Sequence, residues 1–211
     1  MKRSFLALFI LIVIIALVYA ALVSFQGGGE DPDAWERRHN ENQPPGQVMD
    51  SIGVEAGMTV GEVGAGRGRY VVHMADRVGP EGLVYANDID KASLDYLEHR
   101  CERDTISNVA TILGEVTDPK FPEAALDLVY IINTYHHLDK PVELMRNIIP
   151  GLKPDGVLVI IEHDTDKYPA GGSHSTPKDE VIGEAEEAGF ELIRMIHFLE
   201  RDTIYILRPV G

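Results

Sequence analysis

The chain has 211 residues, 45% of them hydrophobic and 25% charged, the balance of a folded domain rather than a disordered one. Its 19 Lys and Arg stand against 34 Asp and Glu, a net charge of −15. Such a surface repels phosphate backbones, and no run of Lys and Arg offsets it, so nucleic acid is excluded as a partner. The single cysteine, Cys101, excludes an internal disulfide and reads as an incidental residue of a polar helical stretch.

Lys2 and Arg3 precede an uncharged apolar run, Phe5 to Phe25. At 1.5 Å per residue this run reaches across a hydrocarbon core. A cleaved signal also fits the basic start and the small residues around Ala20 and Ala21, but the length favours a single-pass anchor. The basic start belongs on the cytoplasmic side, which places the rest opposite, while Arg37 and Arg38 reduce the contrast, so the side stays open. Residues 1–29 are therefore read as an anchor or signal segment ending in Gly27-Gly28-Gly29, and 30–48 as a polar linker or leading segment with Trp35 and Pro44-Pro45. Residues 49–211 form the domain.

Within it, apolar runs predict strands over 58–64, 83–88, 109–113, 126–133, 157–162, 190–198 and 203–208. Amphipathic stretches predict helices over 68–78, 91–103, 141–150 and 177–188, stopped by Gly79-Pro80 and by Gly151 with Lys153-Pro154-Asp155-Gly156. Strands alternating with helices imply a mostly parallel sheet with helices on both faces. The last two strands have only a short turn between them, near Glu200–Asp202, and close the sheet as an antiparallel hairpin.

The first strand runs into Glu62-Val63-Gly64-Ala65-Gly66-Arg67-Gly68, a loop of bare backbone at the start of a helix, where N–H groups and the helix dipole face a ligand. It is not a dinucleotide loop, because Arg69 stands where the third glycine belongs, and not a P-loop, because no Lys-Ser/Thr follows Gly68. The second strand ends at Asp88, placed to accept both hydroxyls of a ribose, with Ile89 beside it. Asp90 reads as the cap of the next helix. The third strand ends at Gly114-Glu115-Val116, an acid for an adenine amino group and an apolar neighbour for the ring face.

In order, Glu62-x-Gly64-x-Gly66-x-Gly68, Asp88, Gly114-Glu115, Leu126-Asp127-Leu128-Val129 and Leu152-Lys153-Pro154-Asp155-Gly156 resemble the successive motifs of class I S-adenosylmethionine-dependent methyltransferases, over about residues 44–208. The family usually carries Asp at 115 and Gly at 155. The resemblance implies a Rossmann-like, seven-stranded α/β fold with the closing hairpin. It implies S-adenosylmethionine as cofactor, held by Glu62, Gly64, Ala65, Gly66, Gly68, Asp88, Ile89, Glu115, Val116 and Asn133. It further implies methyl transfer to a small-molecule or lipid-like acceptor, the membrane association coming from residues 5–25. A scaffold without turnover and a nicotinamide-dependent oxidoreductase are the other readings.

The fourth strand empties into Thr134-Tyr135-His136-His137-Leu138-Asp139, which in this fold faces the cofactor's methyl group. A histidine there suits the deprotonation of an acceptor, so His136 and His137 are the candidate bases. After the fifth strand, Glu162-His163-Asp164-Thr165-Asp166 and the later His174 carry metal-ligand types. Neighbours on a strand end point in opposite directions and chelate badly, so no metal is assigned. Tyr168–Thr176 reads as a substrate-side loop.

Overall fold

The computed structural model describes residues 32–211, side chains from 34 onward. The apolar run and the anchor or signal read there lie outside these residues. Among those described, no helix is long and apolar enough to cross a membrane. The chain divides after His39 into two compact units, of which Asn40–Gly211 carries the sheet and the site. The segment read as a linker is helical over α1 (Pro32–Asn42) and the start of α2 (Pro45–Ile52). Pro45 begins α2, where its missing N–H costs nothing, and Val48, Met49 and Ile52 are buried in the core.

Seven strands follow: β1 (Thr59–Val63), β2 (Leu83–Asp88), β3 (Val109–Leu113), β4 (Leu126–Ile132), β5 (Leu152–His163), β6 (Phe190–Ile196) and β7 (Asp202–Pro209). Between them lie α3 (Val71–Val78), α4 (Lys91–Asp104), α5 (Pro141–Ile148) and α6 (Lys178–Ala188). The sheet order is β3-β2-β1-β4-β5-β7-β6. Strands β1 to β5 pair in parallel, and β7 inserts antiparallel between β5 and β6. The predicted hairpin is thus present.

Alternation along the central strands supplies the two faces. Leu128, Tyr130 and Ile132 face one core, with Val60, Val159 and the inner sides of α2, α3 and α4. Val129 and Ile131 face the other, with Ile160, Tyr205 and the inner sides of α5 and α6. Strands apolar on both faces are what a parallel sheet covered by helices requires. Cys101, in α4, is buried in the first core, and burial pushes its thiol up, away from nucleophile duty.

The helix expected from 68 begins at Val71, and the largest difference in a boundary is at β5. The turn signal Lys153-Pro154-Asp155-Gly156 lies inside β5, not before it. Leu126 pairs with Leu152 and Leu128 with Val157, so the extra residues bulge out of the ladder without ending the strand.

Ile160 is fully buried at the centre of β5. Ile160→Ala should destabilise the fold by about 2–5 kcal/mol, read as a lower midpoint in urea with an unchanged slope.

Candidate functional site

The strand order reverses between β1 and β4, because one half of the sheet runs outward from β1 and the other from β4. The connections leave in opposite directions there, and a crevice opens beyond the carboxyl ends of the strands. A cavity of about 310 Å³ occupies that place, within the usual range for small ligands. Of the residues expected there, Gly64, Asp88, Ile89, Glu115, Val116 and His137 line it, together with Thr134, Leu138, Asp139 and Leu144.

The glycine loop is stitched to the tip of β2. The N–H groups of Gly64 and Ala65 both donate to the Asn87 carbonyl at 2.9 Å. The Gly66 N–H donates to Asp88 Oδ2 at 2.7 Å, and the Asp90 N–H to Asp88 Oδ1 at 2.8 Å. Each Asp88 oxygen thus keeps a lone pair for a further donor, as ribose recognition needs. Asp90 caps α4 as expected, accepting from the Ala92 N–H and the Ser93 hydroxyl. Gly64 has φ of 75°, and a Cβ there would stand 2.2 Å from Thr134 Cγ2, so two loops touch through bare backbone. Gly114 answers a different need: a Cβ would meet the Asn87 side-chain nitrogen at 2.2 Å. That nitrogen donates to the Ile112 and Pro119 carbonyls and holds the β3 turn against β2.

At the mouth, Ile89 and Val116 are 61% and 43% exposed, an apolar pair fit to hold a planar ring. Glu115 is exposed and ion-paired to Lys120 at 2.7 Å, which keeps its carboxyl below the usual range. An adenosyl ligand fits this set: an acid at the ribose position, an acid and an apolar clamp at the base position, and a glycine backbone alongside. Ala65, Gly66 and Gly68 build the turn behind the cavity without lining it.

Glu62 does not reach the cavity. It is 2% exposed and accepts from the Tyr130 hydroxyl at 2.7 Å. Burial pushes its carboxyl up to about 8, against the pull of Tyr130 and Arg69. Asn133 is likewise turned inward, from a backbone with φ of 53° that asparagine tolerates better than most residues. It forms a reciprocal amide pair with Gln43, 2.7 Å from Gln43 Nε2 to Asn133 Oδ1 and 3.0 Å from Asn133 Nδ2 to Gln43 Oε1. The same Gln43 oxygen accepts from Arg69, and the Gln43 carbonyl accepts from Tyr70. Gln43 therefore latches the chain ahead of β1 to the tip of β4. Nothing in a lone glutamine before two prolines signals this role.

The β4 loop turns through a short helical segment, Tyr135–His137. The His136 side chain is 6% exposed, and its Nδ1 lies 2.8 Å from Glu162 Oε1 on β5. His137 lines the cavity, and desolvation, then the neighbouring His136 and His174, hold its pKa below the ordinary value. Next to this pair, His163 Nδ1 lies 2.6 Å from Asp202, which raises the His163 pKa, and the His163 ring stacks parallel to His136 at 6.2 Å. Asp164 accepts from Thr203. The acids and histidines of the β5 end thus diverge to separate partners, as strand alternation predicts.

Residues 61–160 match a family described as "Methyltransferase domain". A demethylmenaquinone methyltransferase of Geobacillus sp. is 26% identical over 115 residues, 54% of this chain and 49% of that protein. A ubiquinone/menaquinone biosynthesis C-methyltransferase of Idiomarina loihiensis is 28% identical over 116 residues, 54% of this chain and 46% of that protein. The chain spans about half the length of these curated relatives. Among solved structures, a SAM-dependent methyltransferase from Aquifex aeolicus superposes with a TM-score of 0.74 at 25% identity, covering 79% of this chain and 89% of that one. The fold is the α/β methyltransferase fold, with the closing antiparallel hairpin that the sequence resemblance implied.

The buried Glu62 sets a pH dependence. Its folded pKa of about 8 exceeds the ordinary 4.5, so the folded state keeps a proton that the unfolded chain releases. This stabilisation is complete below about 4.5 and is lost as pH rises through about 8. Glu62→Gln keeps a neutral amide there, so its melting temperature should fall less between pH 5 and pH 8 than that of the parent chain.

Proposed function

We propose that this chain is an S-adenosylmethionine-dependent methyltransferase acting on a small, lipid-like acceptor, held at a membrane by residues 5–25. The observation that carries the enzymatic reading is the cavity at the sheet's switch point, where Asp88, tied to the glycine loop, faces the apolar pair Ile89 and Val116. The chain is an enzyme and its cofactor is S-adenosylmethionine, which supplies an electrophilic methyl group when bound. Asp88 takes the ribose, Glu115 with Ile89 and Val116 the adenine, and the backbone at Gly64 the methionine end.

The acceptor's side of the cavity is the β4 loop. Its wall combines His137 with apolar Leu138 and Leu144, so it manages a proton beside a surface that excludes water. A lipid-like acceptor agrees with that wall. It agrees also with the names of the curated relatives, which act on demethylmenaquinone or in ubiquinone and menaquinone synthesis. The membrane tether draws on Lys2 and Arg3 ahead of twenty-odd apolar residues. A nicotinamide cofactor is disfavoured by Arg69, whose side chain is buried where a dinucleotide loop needs a small residue.

Two variants test the cofactor site by calorimetric titration with S-adenosylhomocysteine, NADH serving as control. Asp88→Ala removes a charged acceptor and should weaken binding about tenfold to a hundredfold. Gly64→Ala forces Thr134 aside and should weaken it at least as much. Absence of adenosyl binding by the well-folded parent chain would overturn the proposal. For turnover, labelled methyl transfer from S-adenosylmethionine into demethylated isoprenoid quinones and other lipids is the direct assay. For the tether, the chain should stay with membranes through an alkaline wash; release of a shorter form would argue for a cleaved signal.

A further inference from the structure

We propose that His136, His137 and His174 form a three-histidine site for one divalent metal ion of the zinc class, with its fourth position open beside the cofactor cavity. One nitrogen from each ring lies within 4.8 Å of the others. A tetrahedral zinc site holds its nitrogens about 3.4 Å apart, given bonds of about 2.0–2.1 Å. The three therefore need to close by little more than an ångström. His137 and His174 are exposed, so rotation of their side chains supplies that movement.

The third ring is already fixed. The contact between Nδ1 of His136 and Glu162 Oε1, at 2.8 Å, makes that nitrogen the donor and leaves Nε2 with its lone pair outward. A carboxylate behind a ligating histidine is the usual way a protein sets the tautomer and orientation of a metal ligand. Glu162 is fully buried, and its Oε2 has no hydrogen-bond partner among the described residues. A cation on the far side of His136 offsets the field of this carboxylate, a reason for keeping an acid in so dry a place. His163, stacked behind His136 and itself held by Asp202, closes the back wall.

The ligands come from two turns, Tyr135–His137 and Pro169–His174, that meet over the end of β5. The rings of His136 and His174 are 5.5 Å apart and those of His137 and His174 are 5.7 Å apart. Three nitrogen ligands with a free fourth position are the pattern of a reactive rather than a structural zinc site. His137 also lines the cavity, so the ion would sit next to the space proposed for the acceptor. Here the inference rests on the methyl-transfer reading and gives His137 the role of ligand in place of base: an acceptor hydroxyl or thiol bound at the ion loses its proton to solvent far below its ordinary pKa. The acceptor class it selects is therefore one bearing an ionisable oxygen or sulfur.

The test uses the full chain in detergent, stripped with chelator and titrated with Co²⁺ followed by visible absorption. One equivalent should bind with the strong bands of a four-coordinate site. His174→Ala, and independently His137→Asn, should weaken binding at least about tenfold, and Glu162→Gln about tenfold to a hundredfold through the His136 tautomer. No stoichiometric binding by the parent chain, or an unchanged titration in both histidine variants, would overturn the site. Calorimetry with S-adenosylhomocysteine on the same preparations separates the two readings. Intact adenosyl binding without Co²⁺ binding removes the metal alone, and intact Co²⁺ binding without adenosyl binding removes the methyl-transfer reading while keeping the metal.

Discussion

Everything functional in this molecule depends on the divergence of β1 and β4. The two strands pair in register, Val63 beside Ile131, and their chains then leave toward opposite faces. The gap between them cannot be filled by either connection, so it must be closed by side chains or by a ligand. The molecule does both. On the buried side it packs Glu62, Tyr130 and Arg69 beneath the gap, and on the open side it leaves a cavity framed by the tips of β1, β2, β3 and β4. The polar layer beneath explains why an acid of the glycine motif contributes to the floor of the site rather than to its lining.

The turn behind the cavity is held by backbone more than by side chains. Gly64, Ala65 and Gly66 each donate an N–H to the β2 tip, to Asn87 or Asp88. A turn so held needs little rearrangement when a ligand enters the cavity before it, which lowers the ordering cost of binding. The side proposed for the acceptor has the opposite character. Its histidines belong to short turns, with His137 and His174 exposed and only His136 anchored. A rigid glycine turn and an adaptable histidine loop suit a fold that does not by itself fix the substrate.

The strands, helices and closing hairpin were legible because buried parallel strands write themselves as continuous apolar runs and the helices as amphipathic ones. The cavity residues Asp88, Ile89, Glu115 and Val116 were legible because each sits at a strand tip, a place fixed once the strand is recognised. Other features escaped for identifiable reasons. The β5 bulge hides behind residues that elsewhere make a turn. The pairs Glu162–His136 and His163–Asp202 join residues 26 and 39 positions apart on different elements, and pairing of that kind leaves no periodicity. Asp202 itself looked like part of a surface turn and is buried. Gln43 lies in a segment whose composition suggests a linker, and only its partners reveal that it belongs to the core.

That latch bears on the order in which the molecule takes shape. Gln43 and Asn133 are 90 positions apart, so their amide pair closes a loop containing four strands and three helices. Closing so long a loop carries an entropic cost that must be met before the contact repays it. The first two βα units can therefore condense from local contacts, while the tip of β4 gains its Gln43 partner only when this closure is made. On a ribosome, the residue that fixes the tip of β4 is among the first of the domain to emerge, and it waits for its partner through the synthesis of about half the domain.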